Sequence, residues 1–444
     1  MNRKSLFILI LSTLVIGWQL LRVGYFPMHD DLQVMRLYQM RRCLNDGQLP
    51  CRWSPDMGNN YGQPMFNYYS VFPYYLGMIP NLLGVSYVDT VKILFLVSIF
   101  LSGLFVYLLA KKFISEWGSI IAAIAYMVAP YHALDIFVRG AMSESWGLTL
   151  IPLVLYAILK VIKDPKPVNS ILLSISIAAL ATTHNITTII TAPFFAVLAV
   201  IFFALYGHSR KQIIYFIASL LLGLGLASFF LLPLVFEKSL IQTGALTADY
   251  FDYHAHFTSL NQLFRKTFWG YGPSKFGVDD DISFFVGGIH ILGLLLAPLV
   301  TYYLLKTKQK EKSILVAAFF VFALGSLFMT HGKSVLLWEK LPLISFAQFP
   351  WRFLGLAALT TSLLVGFISE IILTKIGRPY LTYLILFLLI AFNFSYFRFE
   401  KYFPWINDQQ KLSGELYNLQ VRAAVLDYLP KSAKTDPKEK ALQT

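Results

Sequence analysis

Apolar runs of about 20 residues, the length a helix needs to cross a hydrocarbon core of roughly 30 Å, recur along this chain and constrain it more than any other feature. They lie near residues 5–25, 90–110, 117–134, 146–162, 169–184, 186–206, 212–236, 284–305, 313–330, 352–373 and 379–397. A lipid-exposed segment must satisfy its own backbone hydrogen bonds, so the expected fold class is an all-α polytopic integral membrane protein with about eleven spans. With 57% of its 444 residues hydrophobic and 14% charged, the chain holds more apolar surface than a soluble domain of this length can bury. The first run is long and has no small-residue cleavage site before His29-Asp30-Asp31, which marks a retained helix rather than a cleaved signal.

The formal charge of +13 reports topology. If the N-terminus is cytoplasmic, the inner side collects fifteen of the 37 cations but only four of the 24 acids, so eleven of the thirteen net positive charges lie there. This positive-inside bias predicts a cytoplasmic N-terminus and an extracytoplasmic C-terminus. It also accounts for the basic composition through anionic lipid headgroups, without nucleic acid. The outer side then carries the long connections 26–89 and 237–283, a shorter one at 331–351, and the tail 398–444; long loops are where function concentrates.

Within the first long connection, Leu32, Met35 and Tyr38 recur at helical spacing with Arg36, Arg41 and Arg42 between them, as in a helix lying in the headgroup plane. Residues 67–83 are apolar, Pro-broken and rich in tyrosine, and read as a second interfacial or re-entrant helix. Cys43 and Cys51, the two cysteines of the chain, would form a disulfide in an extracytoplasmic loop or stand as two free thiols. The second long connection reads as polar and mobile, and its Asp279-Asp280-Asp281 lacks the alternation of a calcium loop. The tail carries Trp405, a weakly amphipathic stretch at 412–429 and a Lys- and Pro-rich end that reads as disordered.

Ionisable groups near membrane depth are functional candidates by default. Here they are His29, Asp30 and Asp31; Asp135, Arg139 and Glu144; His184 with Asn185; and Arg352 beside Trp351. In the orientation above, all fall at the outer face. A carboxylate there can take a proton from an acceptor hydroxyl, while Arg and His hold the phosphate of a leaving group whose lipid tail stays in hydrocarbon. Adjacent carboxylates point in different directions, so one of Asp30 and Asp31 is the base and the other support. Each residue also has a structural alternative. His29 can anchor a helix end, Arg139 and Glu144 can form a buried ion pair, His184 and Asn185 can serve a tight helical hairpin, and Arg352 can snorkel to headgroups.

The run Pro27-Met28-His29-Asp30, then Gly47-Gln48-Leu49-Pro50, Arg52-Trp53 and Tyr61-Gly62-Gln63-Pro64-Met65-Phe66-Asn67-Tyr68-Tyr69, resembles the opening of bacterial membrane proteins catalogued as 6-pyruvoyl-tetrahydropterin-synthase-related. These are similar to YfhO-like proteins and to the GT-C superfamily of glycosyltransferases. Arg139-Gly140 with Glu144, Thr183-His184-Asn185 and Phe349-Pro350-Trp351-Arg352 follow in order, so the resemblance covers most of the chain. Nothing in the residues points to pterin chemistry.

The resemblance implies a GT-C transmembrane domain over 1–397, with two juxtamembrane helices in the 26–89 loop and a mobile outer loop at 237–283. It implies transfer, with inversion, of a sugar from a polyprenyl-phosphate donor to an extracytoplasmic glycan, lipid or protein acceptor at a bacterial plasma membrane. Asp30 matches the family aspartate and is assigned as general base, with Asp31 the second choice at a position that is often small in the family. His29, Arg52, Arg139, Glu144, His184, Asn185, Trp351 and Arg352 are the candidate substrate-binding residues. No cofactor or resident metal is expected; a divalent ion between Asp30 and Asp31 is the competing use of that pair. YfhO-like relatives continue into an outer β-rich domain, of which residues 398–444 show no sign. The rival readings are a transporter or flippase of lipid-linked saccharide, disfavoured by the scarcity of polar residues mid-span, and a glycan polymerase or ligase using lipid-diphosphate donors.

Overall fold

Polar residues decide where each apolar run begins its helix. The computed structural model describes residues 2–441 except 243, 245–246, 266–267, 278, 342, 379, 424–427 and 434. Its principal helices are α1 (Arg3–Ile16), α2 (Gln33–Asn45), α3 (Phe72–Leu82), α4 (Tyr87–Ala110), α5 (Glu116–Met127), α6 (Met142–Lys163), α7 (Pro167–Thr183), α8 (Asn185–Tyr206), α9 (Arg210–Phe236), α10 (Gly288–Lys306), α11 (Lys310–Thr330), α12 (Leu354–Ile376) and α13 (Tyr380–Asn393). Ser86, Ser115 and Ser209 cap α4, α5 and α9 by accepting backbone N–H groups of the first turn, which satisfies donors with no partner inside the helix. Among the described residues the only β pairing is a set of isolated bridges.

The core is formed where α5 packs between α4 and α12, with α6 on the far side of α4. Residues 118–127 of α5 are all buried. Gly118 and Gly366 let α5 and α12 touch backbone to backbone: a Cβ on Gly366 would lie 2.7 Å from the Ala122 Cβ and 3.0 Å from the Gly118 carbonyl. Close approach through small residues is how helices gain van der Waals contact in lipid. Peripheral α9 instead turns Leu221, Leu222, Leu224 and Leu226 outward, a surface suited only to acyl chains.

Among the described residues, seven helices are long and apolar enough to cross a membrane, or eight if a bent pair counts as one span, fewer than the eleven expected. The expected span 117–134 breaks into Glu116–Met127 and Pro130–Arg139, bent by 42°, because Pro130 removes a backbone donor and cannot continue the first helix. The first run stops at Ile16 after 14 residues, where a Cβ on Gly17 would collide with Leu96 of α4. Pro167–Thr183 and Tyr380–Tyr396 are apolar but shorter than a span.

The two long connections meet at one end of the bundle, where Tyr68 Oη donates to the Glu237 carbonyl at 3.0 Å and Asn67 Nδ2 to Glu237 Oε2 at 3.2 Å. The first contains α2, α3, the short helix Met65–Tyr68 between them, and a disulfide joining Cys43 to Cys51. The second, expected to be polar and mobile, holds a string of short elements. Its described residues form short turns at Lys238–Leu240, Asp249–Phe251, Tyr253–His256 and Leu260–Phe264, and Asp280 is buried, accepting from Ser274 Oγ, the Lys275 N–H and Gln262 Nε2. The tail packs back on the chain that follows α1. Phe403 pairs with Tyr25, Arg422 Nε donates to Asn59 Oδ1 at 2.9 Å, and the Ala441 N–H reaches the Asn59 carbonyl at 3.0 Å. Part of the 412–429 stretch, residues 424–427, lies outside the described residues.

Candidate active site

The site is organised by an irregular turn. After the short helix Pro130–Ala133, residues Leu134–Arg139 wind as a π-helical turn that ends at Gly140 with φ 63°. Only glycine adopts that conformation without strain, and any side chain there would collide with Met28. The turn's last carbonyls point at the chain leaving α1. The His29 N–H donates to the Val138 carbonyl at 3.1 Å and the Asp30 N–H to that of Arg139 at 2.9 Å. Single π turns are frequent at functional sites because they leave carbonyls free for such use.

This backbone clamp holds the Asp30 side chain against the first turns of α2. Its Oδ2 accepts from Arg36 Nη1 at 2.7 Å, Gln33 Nε2 at 3.0 Å and Tyr69 Oη at 3.4 Å. Gln33 is fixed in turn by the Gly140 carbonyl (2.8 Å) and Tyr74 Oη (2.6 Å), and the Arg36 guanidinium lies 4.0 Å from the Tyr69 ring centre. All three donors use one oxygen. Oδ1 has no hydrogen-bond partner among the described residues, and the side chain is 34% exposed. Asp31 turns the other way and accepts from Lys411 Nζ at 2.6 Å. Burial pushes the Asp31 carboxyl above the usual carboxylate range, and the Lys411 charge and hydrogen bond pull against it.

The side chain of Arg139, whose carbonyl is part of that clamp, begins a second, closed group. Arg139 Nη1 donates to Asp135 and, at 2.9 Å, to Glu144 Oε2. Glu144 also accepts from Tyr131 Oη at 2.5 Å and faces Arg352 Nε at 3.2 Å. The Arg139 guanidinium sits 4.5 Å from the Trp351 ring centre, and Trp351 stacks between Phe284 and Phe349. Side-chain exposure is 10% for each arginine, 3% for Glu144 and 0% for Asp135. Two cations thus face two anions where water is nearly absent, the arrangement that makes a buried charge tolerable. Arg352 points inward, with Nη1 donating to the Ala347 carbonyl at 3.0 Å, and so does not snorkel.

The sequence candidates therefore divide. His29, Asp30, Arg139, Glu144, Trp351 and Arg352 form one connected set, and His29 Nε2 also donates to the Tyr271 carbonyl at 2.8 Å. His184 caps α8, with Nδ1 2.7 Å from Thr187 Oγ1, and the neighbouring Asn185 Oδ1 is buried without a partner among the described residues. Arg52 binds Asn67 Oδ1 at 3.1 Å and touches neither charge group. Gln33, Tyr69, Tyr131 and Lys411 were not among the candidates. Gln33 stands three residues after Asp30, a spacing that could have revealed it, but Lys411 is 380 residues from Asp31 and left no local signal. Among the described residues no three His, Cys, Asp or Glu side chains converge as a metal site.

This architecture defines a polytopic membrane protein of GT-C fold. Across 91% of the chain it superposes on the arabinofuranosyltransferase AftD from mycobacteria, with a TM-score of 0.56 at 15% identity, and it spans 29% of that longer protein. The chain belongs to the 6-pyruvoyl-tetrahydropterin synthase related family of membrane proteins, whose profile matches residues 66–400. An Archaeoglobus fulgidus oligosaccharyltransferase (TM-score 0.47, 14% identity, 88% of this chain and 52% of that one) and ArnT from Cupriavidus metallidurans, solved with undecaprenyl phosphate (0.39, 12%, 83% and 78%), are more distant. The fold assignment rests on AftD. No curated protein matches the sequence.

Proposed function

We propose that the protein is a glycosyltransferase that moves a sugar from a polyprenyl-phosphate donor to an acceptor outside a bacterial plasma membrane, with its N-terminus cytoplasmic and Asp30 as general base. The observation that carries this reading is the one-sided coordination of Asp30. Three donors fix Oδ2 and leave Oδ1 for an acceptor hydroxyl, a positioned base with one free oxygen. Asp30 takes the proton late, once the new C–O bond has made the hydroxyl acidic. The acceptor oxygen attacks the anomeric carbon, the bond from that carbon to the donor's phosphate oxygen breaks, and the electron pair leaves with the lipid phosphate. A single displacement inverts the anomeric centre.

The leaving phosphate needs cations, and each guanidinium carries five N–H donors. Arg139 gives Nη1 to the two carboxylates and Arg352 gives Nη1 to the Ala347 carbonyl, so Nη2 of both is without a hydrogen-bond partner among the described residues. These are the donors assigned to phosphate, with His29 beside them. Undecaprenyl phosphate in the ArnT structure supplies the choice of donor class to test. The protein in nanodiscs is assayed with a panel of polyprenyl-phosphate sugars, comparing wild type, Asp30→Asn and Arg352→Ala. Transfer by wild type and its loss in Asp30→Asn are expected; full turnover in that variant overturns the assignment of the base.

A further inference from the structure

We propose that a hollow of about 470 Å3 beside α2, lined by Tyr38, Arg41, Arg42, Asn81, Tyr87 and Asp408, is a subsite for an anionic saccharide, distinct from the Asp30 site. That the saccharide is the acceptor for transfer rests on the function proposed above; its binding does not.

The charges in the hollow do not cancel. Asp408, its one acid, accepts the N–H groups of Tyr87 and Val88, both at 2.8 Å, so its carboxylate is engaged by the first turn of α4. Arg42 is partly answered, by Tyr38 Oη at 3.2 Å and Asp56 at 3.6 Å. Arg41 has no ion pair or hydrogen bond among the described residues, and its Nη1 is shielded from water without a partner. Leaving a buried donor unpaired costs free energy that an incoming acceptor recovers, and a guanidinium favours a carboxylate or phosphate gripped at two points.

The remaining lining fits a sugar better than a bare ion. The Tyr38 and Tyr87 rings meet edge to face, 5.6 Å between centres, forming an apolar corner against which the C–H face of a pyranose can pack. Asn81 Nδ2 is committed to the Val85 carbonyl at 3.1 Å, so its Oδ1 remains to accept from a hydroxyl. An inorganic anion would leave rings and amide unused. The volume falls within the roughly 300–1,000 Å3 typical of small-molecule sites. Arg41 follows Arg36, the partner of Asp30, by five residues on α2, about 7–8 Å along the axis. Five residues also turn the helix by about 140°, so Arg36 and Arg41 leave α2 on different faces and the subsite is separate from the Asp30 site.

The test is calorimetric titration of the full chain in phosphatidylcholine nanodiscs with tetragalacturonate and with neutral maltotetraose. The acidic tetramer is expected to bind at least tenfold more tightly. Arg41→Gln should weaken it tenfold or more, Arg41→Lys less, and Asn81→Ala severalfold, while Lys275→Ala on the other long loop changes nothing. Should Arg41→Gln melt early, raising salt from about 0.1 to 0.5 M must weaken the acidic tetramer alone. Equal affinity for the two tetramers, no binding to folded wild type, or unchanged affinity in folded Arg41→Gln overturns the subsite. So does complete block of uronate binding by phosphatidylglycerol nanodiscs, which would assign the hollow to a lipid headgroup. Asp30→Asn should bind uronate as wild type does. If no donor sugar is ever transferred yet uronate binds through Arg41, the transferase reading fails and the subsite stands.

Discussion

Two groups of charge lie one backbone hydrogen bond apart in this protein, and they are built in opposite ways. Around Asp30, one carboxylate and one guanidinium sit at a partly open surface, and one carboxylate oxygen is left over. Around Glu144, two arginines and two acids close on each other behind Trp351. The first arrangement can exchange a proton with an incoming hydroxyl. The second answers most of its own charge, keeping Nη2 of each arginine for the phosphate assigned above, and it also sets shape: it holds the π turn whose Val138 and Arg139 carbonyls fix His29 and Asp30. Replacing Asp30 should therefore remove activity with little effect on folding, and replacing the closed group should harm folding first.

The largest expected effect is on rate. Asp30→Asn keeps an oxygen for Arg36 and Gln33 but cannot take a proton, so kcat should fall about 10²–10⁴-fold, the usual worth of a positioned base. The melting transition should move by no more than about 1–2 kcal/mol, one weakened hydrogen bond to a charged partner. A melt as damaged as that of a core variant would erase the contrast. Next comes Glu144→Ala, which strips Arg352 of its carboxylate and leaves two buried arginines to Asp135 alone; it should cost about 3–5 kcal/mol of stability, read by thermal denaturation in nanodiscs. A wild-type melt would mean that the arginines have other anions and that the group is not closed. Gly140→Ala should cost about 1–2 kcal/mol for the left-handed backbone alone, with a further loss from the clash with Met28. Adding Met28→Ala should recover the second part only.

The same contrast marks how far the sequence could be read. Apolar length and charge asymmetry sufficed for an all-helical membrane protein, and a family resemblance carried by motifs such as His29-Asp30, Arg139-Gly140 and Trp351-Arg352 led to the GT-C fold. The number of full spans was not legible, because whether Pro130 bends a helix or Gly17 ends one depends on the neighbour it meets: the Leu96 side chain, for Gly17. Partners close in sequence were within reach, as Gln33 is for Asp30 and Asp135 for Arg139. Those set by tertiary closure were not. Nothing local in Asp31 announces Lys411, and the polar composition of residues 398–441 hides the contacts that tie Phe403 to Tyr25 and Arg422 to Asn59.

The smallest expected effect sharpens the comparison from the side of the second long loop. His256 is buried against Phe349, 4.7 Å between ring centres, and Phe349 stacks on the Trp351 that covers Arg139. Its Nε2 meets the Tyr250 carbonyl at 2.6 Å and its Nδ1 the Ser274 hydroxyl at 2.8 Å. Burial lowers its pKa below the ordinary 6.5, opposed by the Tyr250 carbonyl and by the charges of Asp280 and Asp252. The unfolded chain therefore binds this proton first, and wild type should lose stability as pH falls from about 6.5 through the lowered folded value, with a slope of at most one proton, about 1.4 kcal/mol per pH unit. His256→Gln should lack that component, so the difference in melting between the two proteins narrows or reverses on acidification. If wild type instead gains on the variant as pH falls, the ring is held as a cation: Nδ1–H then donates to Ser274, whose hydroxyl donates to Asp280 at 2.7 Å. In that case a charge relay, and not an apolar wedge, joins the loop to the closed group.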